Sequence, residues 1–349
     1  MSKSKVQKVQ PPLSDKPRIG WVDLAKGICI TLVVFHHVAS VMKISYPLDV
    51  QLRAFRMPLY FILSGLFFKQ YEGFVGFLKR KINKLLIPFL FFFVTTVVIP
   101  YWVLIGSDIR RFYAYPIKYM YRTRLVMLNE PIWFLLCLFE VNILFYGVQW
   151  LAGRISSRYK TSLVLVCSLV IGFAGLLMGM NHLSIPFYVD TAMSALPLFA
   201  FGWWLFRHTH FLTAAVQPVR DIALLLICVL VLWFLAVPVS WVGNDFSRQS
   251  IGVVYLCGIS GTMMVLILSK FIGRLGIVSY WGRYSIMILC THFLIATALL
   301  FALNRFGLDK NILLLVVFVL TMLICHLLIP FMLRFLPHVT AQKDLIKVP

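Results

Sequence analysis

The chain has 349 residues, 61% of them hydrophobic and 13% charged. Its mean hydropathy of +0.89 excludes a soluble globule and points to an all-α polytopic membrane protein. A net charge of +21 does not make it a nucleic-acid binder, because the cations are spread over short segments between apolar runs, where membrane topology accounts for them.

Residues 1–18 are polar and basic and lack a short apolar core followed by a small-residue cleavage site, so they are expected to be a cytoplasmic tail. A single transmembrane domain is expected over 19–336, followed by a second cytoplasmic tail over 337–349. About ten apolar runs are long enough to cross a bilayer: roughly 20–42, 54–70, 85–105, 130–151, 161–180, 190–206, 218–239, 249–269, 279–303 and 312–335. With the amino terminus inside, 21 of the 33 Lys and Arg fall on the inner side and 11 on the outer side, with Lys26 in the membrane. That bias places both termini in the cytoplasm. The seven cysteines stand singly in apolar runs without CxxC spacing, so neither disulfides nor a metal site is expected.

The first run, WVDLAKGICITLVVFHHV, carries Asp23, Lys26 and His37. An interval of eleven residues closes to within about 20° of whole turns, so Lys26 and His37 share one helix face, roughly 16 Å apart along the axis. Asp23 falls on that face as well, one turn from Lys26, where the two are expected to pair. Ionisable groups inside a membrane helix are costly, and their default reading is a functional site facing the bundle interior. His36 points about 100° away and reads as interfacial or structural.

Further along, Arg56 precedes a Met-Pro pair at the outer start of the second run, and Ser64-Gly65 suits close helix packing better than a nucleophile. Lys79, Arg80, Lys81 and Lys84 form a basic cluster expected on an inner loop. The segment DIRRFYAYPIKYMYRTR carries five cations and four tyrosines on the outer side, where cations are scarce. It rests on lipid headgroups or receives an anionic or glycan ligand. Trp133 follows the Asn129, Glu130, Pro131 start signal and lines a site or anchors in the interface. His292, alone in its apolar run, reads first as a packing histidine.

These segments together resemble the acyltransferase-3 family of integral-membrane acyltransferases, in particular its fucose 4-O-acetylase-like branch. RIGWVDLAKGICITLVVFHH is similar to the family's first helix, with a basic residue, ten positions and a histidine. FRMPLYFILSGLF, FLKRKINKLLIPF, PIWFLLCLFEVNILF, LPLFAFGWWL and WGRYSIMILCTHFLI are similar to later segments in the same order. Lys26 stands where many members have Arg, and Arg56 where many in this branch have His. Lys keeps the charge without the bidentate fork of Arg.

The resemblance implies a multi-pass enzyme of the bacterial plasma (inner) membrane. It would move an acyl group, usually acetyl from cytoplasmic acyl-CoA, to a hydroxyl of a cell-envelope or exported glycan or lipid-linked saccharide. No bound cofactor is implied; acetyl-CoA is a substrate. On that reading His37 is the general base, since a histidine titrating near neutrality suits removal of a hydroxyl proton, and Lys26 and Asp23 support it. Arg56 stabilises an oxyanion, grips the acceptor or snorkels to headgroups. Trp133, Tyr113, Tyr115, Arg122 and Arg124 are candidates for acceptor binding. Arg80, Lys81 and Lys84, of which the last two match the family's paired basic residues, are candidates for the CoA phosphates. The alternative class is a transporter or flippase of a lipid-linked glycan, although the two matching halves with broken helices common in transporters are not apparent.

Overall fold

The structure, a computed structural model, describes residues 19–71, 73–100 and 129–348. Among the described residues the chain is helical, with one isolated bridge between Ser240 and Asp245. The helices are α1 (Gly20–Val41), α2 (Asp49–Leu66), α3 (Gly73–Lys81), α4 (Ile87–Phe93), α5 (Trp133–Ile155), α6 (Lys160–Met180), α7 (Val189–His208), α8 (Pro218–Leu235), α9 (Arg248–Ile272), α10 (Gly276–Arg283), α11 (Ser285–Leu303) and α12 (Lys310–Phe335). A π turn, Ile82–Leu86, joins α3 to α4, and a second, Val94–Val98, follows α4.

Nine helical segments among the described residues are long and apolar enough to cross a membrane. They include all the expected runs except the second. That run begins earlier than expected, at Asp49, and its Asp49, Arg53 and Arg56 dilute its apolar character, although α2 packs between α7 and α9 like the others. The expected run 279–303 is not one helix: it breaks at Tyr284, and α10 lies before the break as a separate short helix.

Local sequence sets the helix ends. Pro218 opens α8 at a position that needs no donor, and the Asp221 carboxylate accepts from the Gln217 amide at 3.0 Å. Ser247 caps α9 by accepting from the Ser250 amide, and Asp309 caps α12 by accepting from the amides of Asn311 and Ile312. Large apolar side chains such as Phe234, Phe301 and Leu327 are exposed on the outside of α8, α11 and α12, the arrangement required when the surrounding solvent is hydrocarbon.

α1 is the central element, packed on α2, α9, α10, α11 and α12. Its crossing with α10 is a backbone contact. A side chain at Gly27 would collide with the Val278 carbonyl, and one at Gly282 with the Asp23 carbonyl. Only glycine allows this approach, and it brings Arg283 beside the Lys26 end of α1.

Candidate active site

Two cavities open along α1, one near each end. The first, about 410 Å³, is lined by Lys26 of α1, Ser64 and Tyr60 of α2, Arg80 and Lys81 of α3, Lys84 of the π turn and Arg283 of α10. Among the described residues, five cations and no carboxylate line it, so its field favours a polyanion. The Lys26 ammonium lies 5.1 Å from the centre of the Phe67 ring, the Arg80 guanidinium 4.4 Å from that of Tyr71, and Lys81 5.5 Å from that of Phe77. The aromatic faces hold the cationic side chains while leaving donors available. Burial pushes the Tyr71 hydroxyl up from its ordinary value, so that it stays neutral.

The basic cluster is not on a loop, as expected from charge alone, but on α3 and the π turn. The extra residue of a π turn re-aims its side chains. Here the turn places Lys84 at the mouth of the cavity and Asn83 against the carboxy-terminal segment. Asn83, fully buried, donates to the Ile346 carbonyl at 2.8 Å and accepts from the amides of Leu345 and Ile346 at 3.0 and 2.8 Å. Lys84 donates to the Ala341 carbonyl at 2.9 Å and pairs with Asp344 at 3.0 Å. Ala341 and Gln342 themselves line the cavity. The expected tail is therefore a docked strap, and Asp344 holds a cation of the basic cavity.

The second cavity, about 100 Å³, is lined by His36, His37 and Val33 of α1, Arg53, Arg56 and Met57 of α2, Trp133, and residues 239–242 including Trp241. Arg56 is 5% exposed, and its Nη1 donates to the Tyr46 hydroxyl at 3.2 Å. His36 Nδ1 lies 3.2 Å from the same hydroxyl and 3.4 Å from Asp49, which also pairs with Arg53 at 2.7 Å. Burial, with Asp49 beside it, pushes the Tyr46 hydroxyl up to about 12. A neutral Tyr46 thus braces Arg56, and His36 belongs to this brace, while His37 is the half-buried imidazole beyond it.

An aromatic partition separates the cavities. Phe134 lines the basic cavity and its neighbour Trp133 the histidine cavity. Phe134 packs on Tyr60 at 5.4 Å and on Phe61 at 5.2 Å between ring centres. Below Arg56, the Cys29 thiol donates to the Arg56 carbonyl at 3.3 Å, tying α1 to α2 at the same level.

A family model described as an acyltransferase domain matches residues 19–330. The chain belongs to the acyltransferase-3 family. Searches among curated proteins and among solved structures give no match. Membership supports a membrane acyltransferase, and the match spans every helix that lines the two cavities, while Ala341 and Gln342 of the basic cavity lie beyond it. Within this acyltransferase-3 fold the expected site residues divide. His37, Arg56 and Trp133 share one cavity, and Lys26, Arg80, Lys81 and Lys84 share the other. Asp23 lines neither, because α10 covers α1 at its level. Ser64 lines the basic cavity, while the adjacent Gly65 makes the close contact, against the Phe199 carbonyl of α7. Tyr113, Tyr115, Arg122 and Arg124 lie outside the described residues. Sequence reasoning missed Arg53, Trp241, Tyr60 and Arg283. Tyr60 and Arg283 carried a signal, standing in the FRMPLY and WGRYS stretches that resemble the family.

Proposed function

We propose that this acyltransferase takes acyl-CoA, with acetyl as the acyl group, into the basic cavity from the cytoplasm. It transfers the acyl group to a hydroxyl of a cell-envelope or exported glycan in the histidine cavity, in the manner of the fucose 4-O-acetylase-like branch. The observation that carries this reading is the pair of cavities on one helix, one lined by five cations and one built from an imidazole, a braced guanidinium and two indoles.

The chemistry follows from the contents of each cavity. Lys26, Arg80, Lys81, Lys84 and Arg283 hold the phosphates of the nucleotide end. The pantetheine arm, on the order of 20 Å when extended, spans the roughly 16 Å from Lys26 to His37. Tyr60 and Phe134 part to admit the thioester. Trp133 and Trp241 offer flat apolar faces of the kind that stack on sugar rings. His37 takes the proton of the acceptor hydroxyl as its oxygen attacks the thioester carbonyl. Arg56 faces the oxygen on which negative charge develops. Collapse breaks the carbon–sulfur bond, and His37 returns the proton to the departing sulfur. The tyrosines and arginines of 108–124 guide the glycan to this cavity from the outer face.

Mass spectrometry of envelope glycans from a strain lacking the protein tests the reading. A loss of about 42 Da per repeating unit identifies an acetyl group. Unchanged glycan masses, with lipid-linked saccharide accumulating on the inner face, would identify a flippase instead.

A further inference from the structure

His292, on α11, lies directly behind His37. It is 0% exposed and lines neither cavity, yet its ring centre is 5.3 Å from that of His37. Its Nδ1 is 2.7 Å from the Ile288 carbonyl oxygen, one turn back on the same helix. A carbonyl only accepts, so in the neutral ring Nδ1 carries the hydrogen and Nε2 keeps a bare lone pair. That Nε2 is buried and has no hydrogen-bond partner, although buried polar atoms are nearly always satisfied. Phe293, the next residue, meets the His37 ring edge to face at 5.7 Å and restricts its rotation.

We propose that His292 is a positioning residue for His37: with the rings 5.3 Å apart, its Nε2, unpartnered in this structure, is placed to accept a hydrogen bond from one ring nitrogen of His37 once that ring settles against it, which leaves the other nitrogen unprotonated for the acceptor hydroxyl. In hydrolytic triads a carboxylate does this work. A neutral imidazole does it here without placing another charge inside an apolar bundle, where an ion is expensive. Among the described residues, the other titratable and charged groups near the pair come from α1, α2 and the turn before α5. His36 on α1 and Arg53 and Arg56 on α2 share the cavity of His37, and Asp49 is engaged with Arg53. On the turn against α11, Glu130 follows Asn129, whose Nδ2 donates to the Cys290 carbonyl at 2.9 Å. The two guanidiniums oppose a positive charge on His37, and an acceptor behind the ring is what offsets them when His37 receives a proton.

The purpose assigned to this contact rests on the acyltransferase reading, but the coupling of the two rings can be measured without turnover. Diethyl pyrocarbonate modifies neutral imidazoles, so its reaction with His37, followed by peptide mass spectrometry against pH, titrates that ring in the full-length protein in membranes. His292→Leu removes the acceptor and should move the His37 midpoint down by about one unit. His292→Gln, which keeps an acceptor, should stay near the wild type. In acetyl transfer at neutral pH, His292→Leu should lower kcat about tenfold with the KM for acetyl-CoA unchanged. Where the Leu variant does not insert, His292→Asn, whose shorter amide falls short of His37, gives the same comparison with Gln. One midpoint shared by all variants would overturn the proposal whatever their activity, as would equal losses in the Gln and Leu variants with no change in pH profile. A wild type that cleaves no thioester would remove the acyltransferase reading, while the titration would still decide the coupling.

Discussion

Lys26 and His37 lie on one stripe of α1, about 16 Å apart along the axis, and open onto different cavities. Their shared face made them look like parts of one catalytic set. The aromatic pair Tyr60 and Phe134 lines the cavity of Lys26 and not that of His37, which groups Lys26 with the cations of the basic cavity. Lys26→Met should therefore raise the KM for acyl-CoA severalfold with a smaller change in kcat. Steady-state kinetics on the purified protein make the check; a pure kcat loss would put Lys26 back beside the chemistry.

His37→Ala should lower acyl transfer by about 100-fold or more while leaving acyl-CoA binding and membrane insertion intact. His36→Ala should cost only severalfold, because His36 helps brace Tyr46 and, through it, Arg56. Equal losses at the two positions in a well-inserted protein would count against His37 as the base.

Neutralising Lys81 and Lys84 together should raise the apparent KM for acyl-CoA and flatten its salt dependence, since screened phosphate contacts disappear. Asp344→Asn should act in the opposite direction by releasing Lys84 from the strap. The Lys84 side chain is 45% exposed, so screening limits the gain to about two- to fivefold in KM. A KM unaffected by both changes would return the cluster to topology.

Gly282→Ala should destabilise the protein by about 1–3 kcal/mol, because the new methyl group meets the Asp23 carbonyl, a backbone atom that cannot turn aside. Thermal unfolding in detergent, compared with Gly276→Ala, where nothing lies within 4 Å of the added carbon, isolates the effect of the crossing.

Much of the fold was legible because membrane helices announce themselves by length and composition. The exceptions are physical. Asp49, Arg53 and Arg56 disguise α2, since the two arginines that line a cavity and the carboxylate paired with one of them lower the hydropathy of the helix bearing them. The break at Tyr284 is hidden because the long apolar run that begins at Ile286 outweighs the short polar stretch around Gly282 and Arg283 just before it. At the site, helical period showed that Lys26 and His37 share a face, but not that Phe134 and Tyr60 close the space between them, which depends on helices brought together in three dimensions. Trp241 was invisible for the same reason. It reaches the cavity from a turn held by Asn244, whose side chain bonds Ser194 and the Gly175 carbonyl. The family resemblance carried the class of chemistry and drew attention to His37, whereas the docking of Asp344 on Lys84 joins residues 260 positions apart and has no local signature.

The most direct test is CoA release from acetyl-CoA by the purified protein, with and without envelope glycan, with the acetyl group isotopically labelled. The predicted result is slow release alone, faster release with glycan, label recovered on the glycan, and loss of the glycan-dependent part in His37→Ala. An intact thioester in every case, with folded protein and glycan present, would contradict an acyltransferase that joins its two cavities through His37.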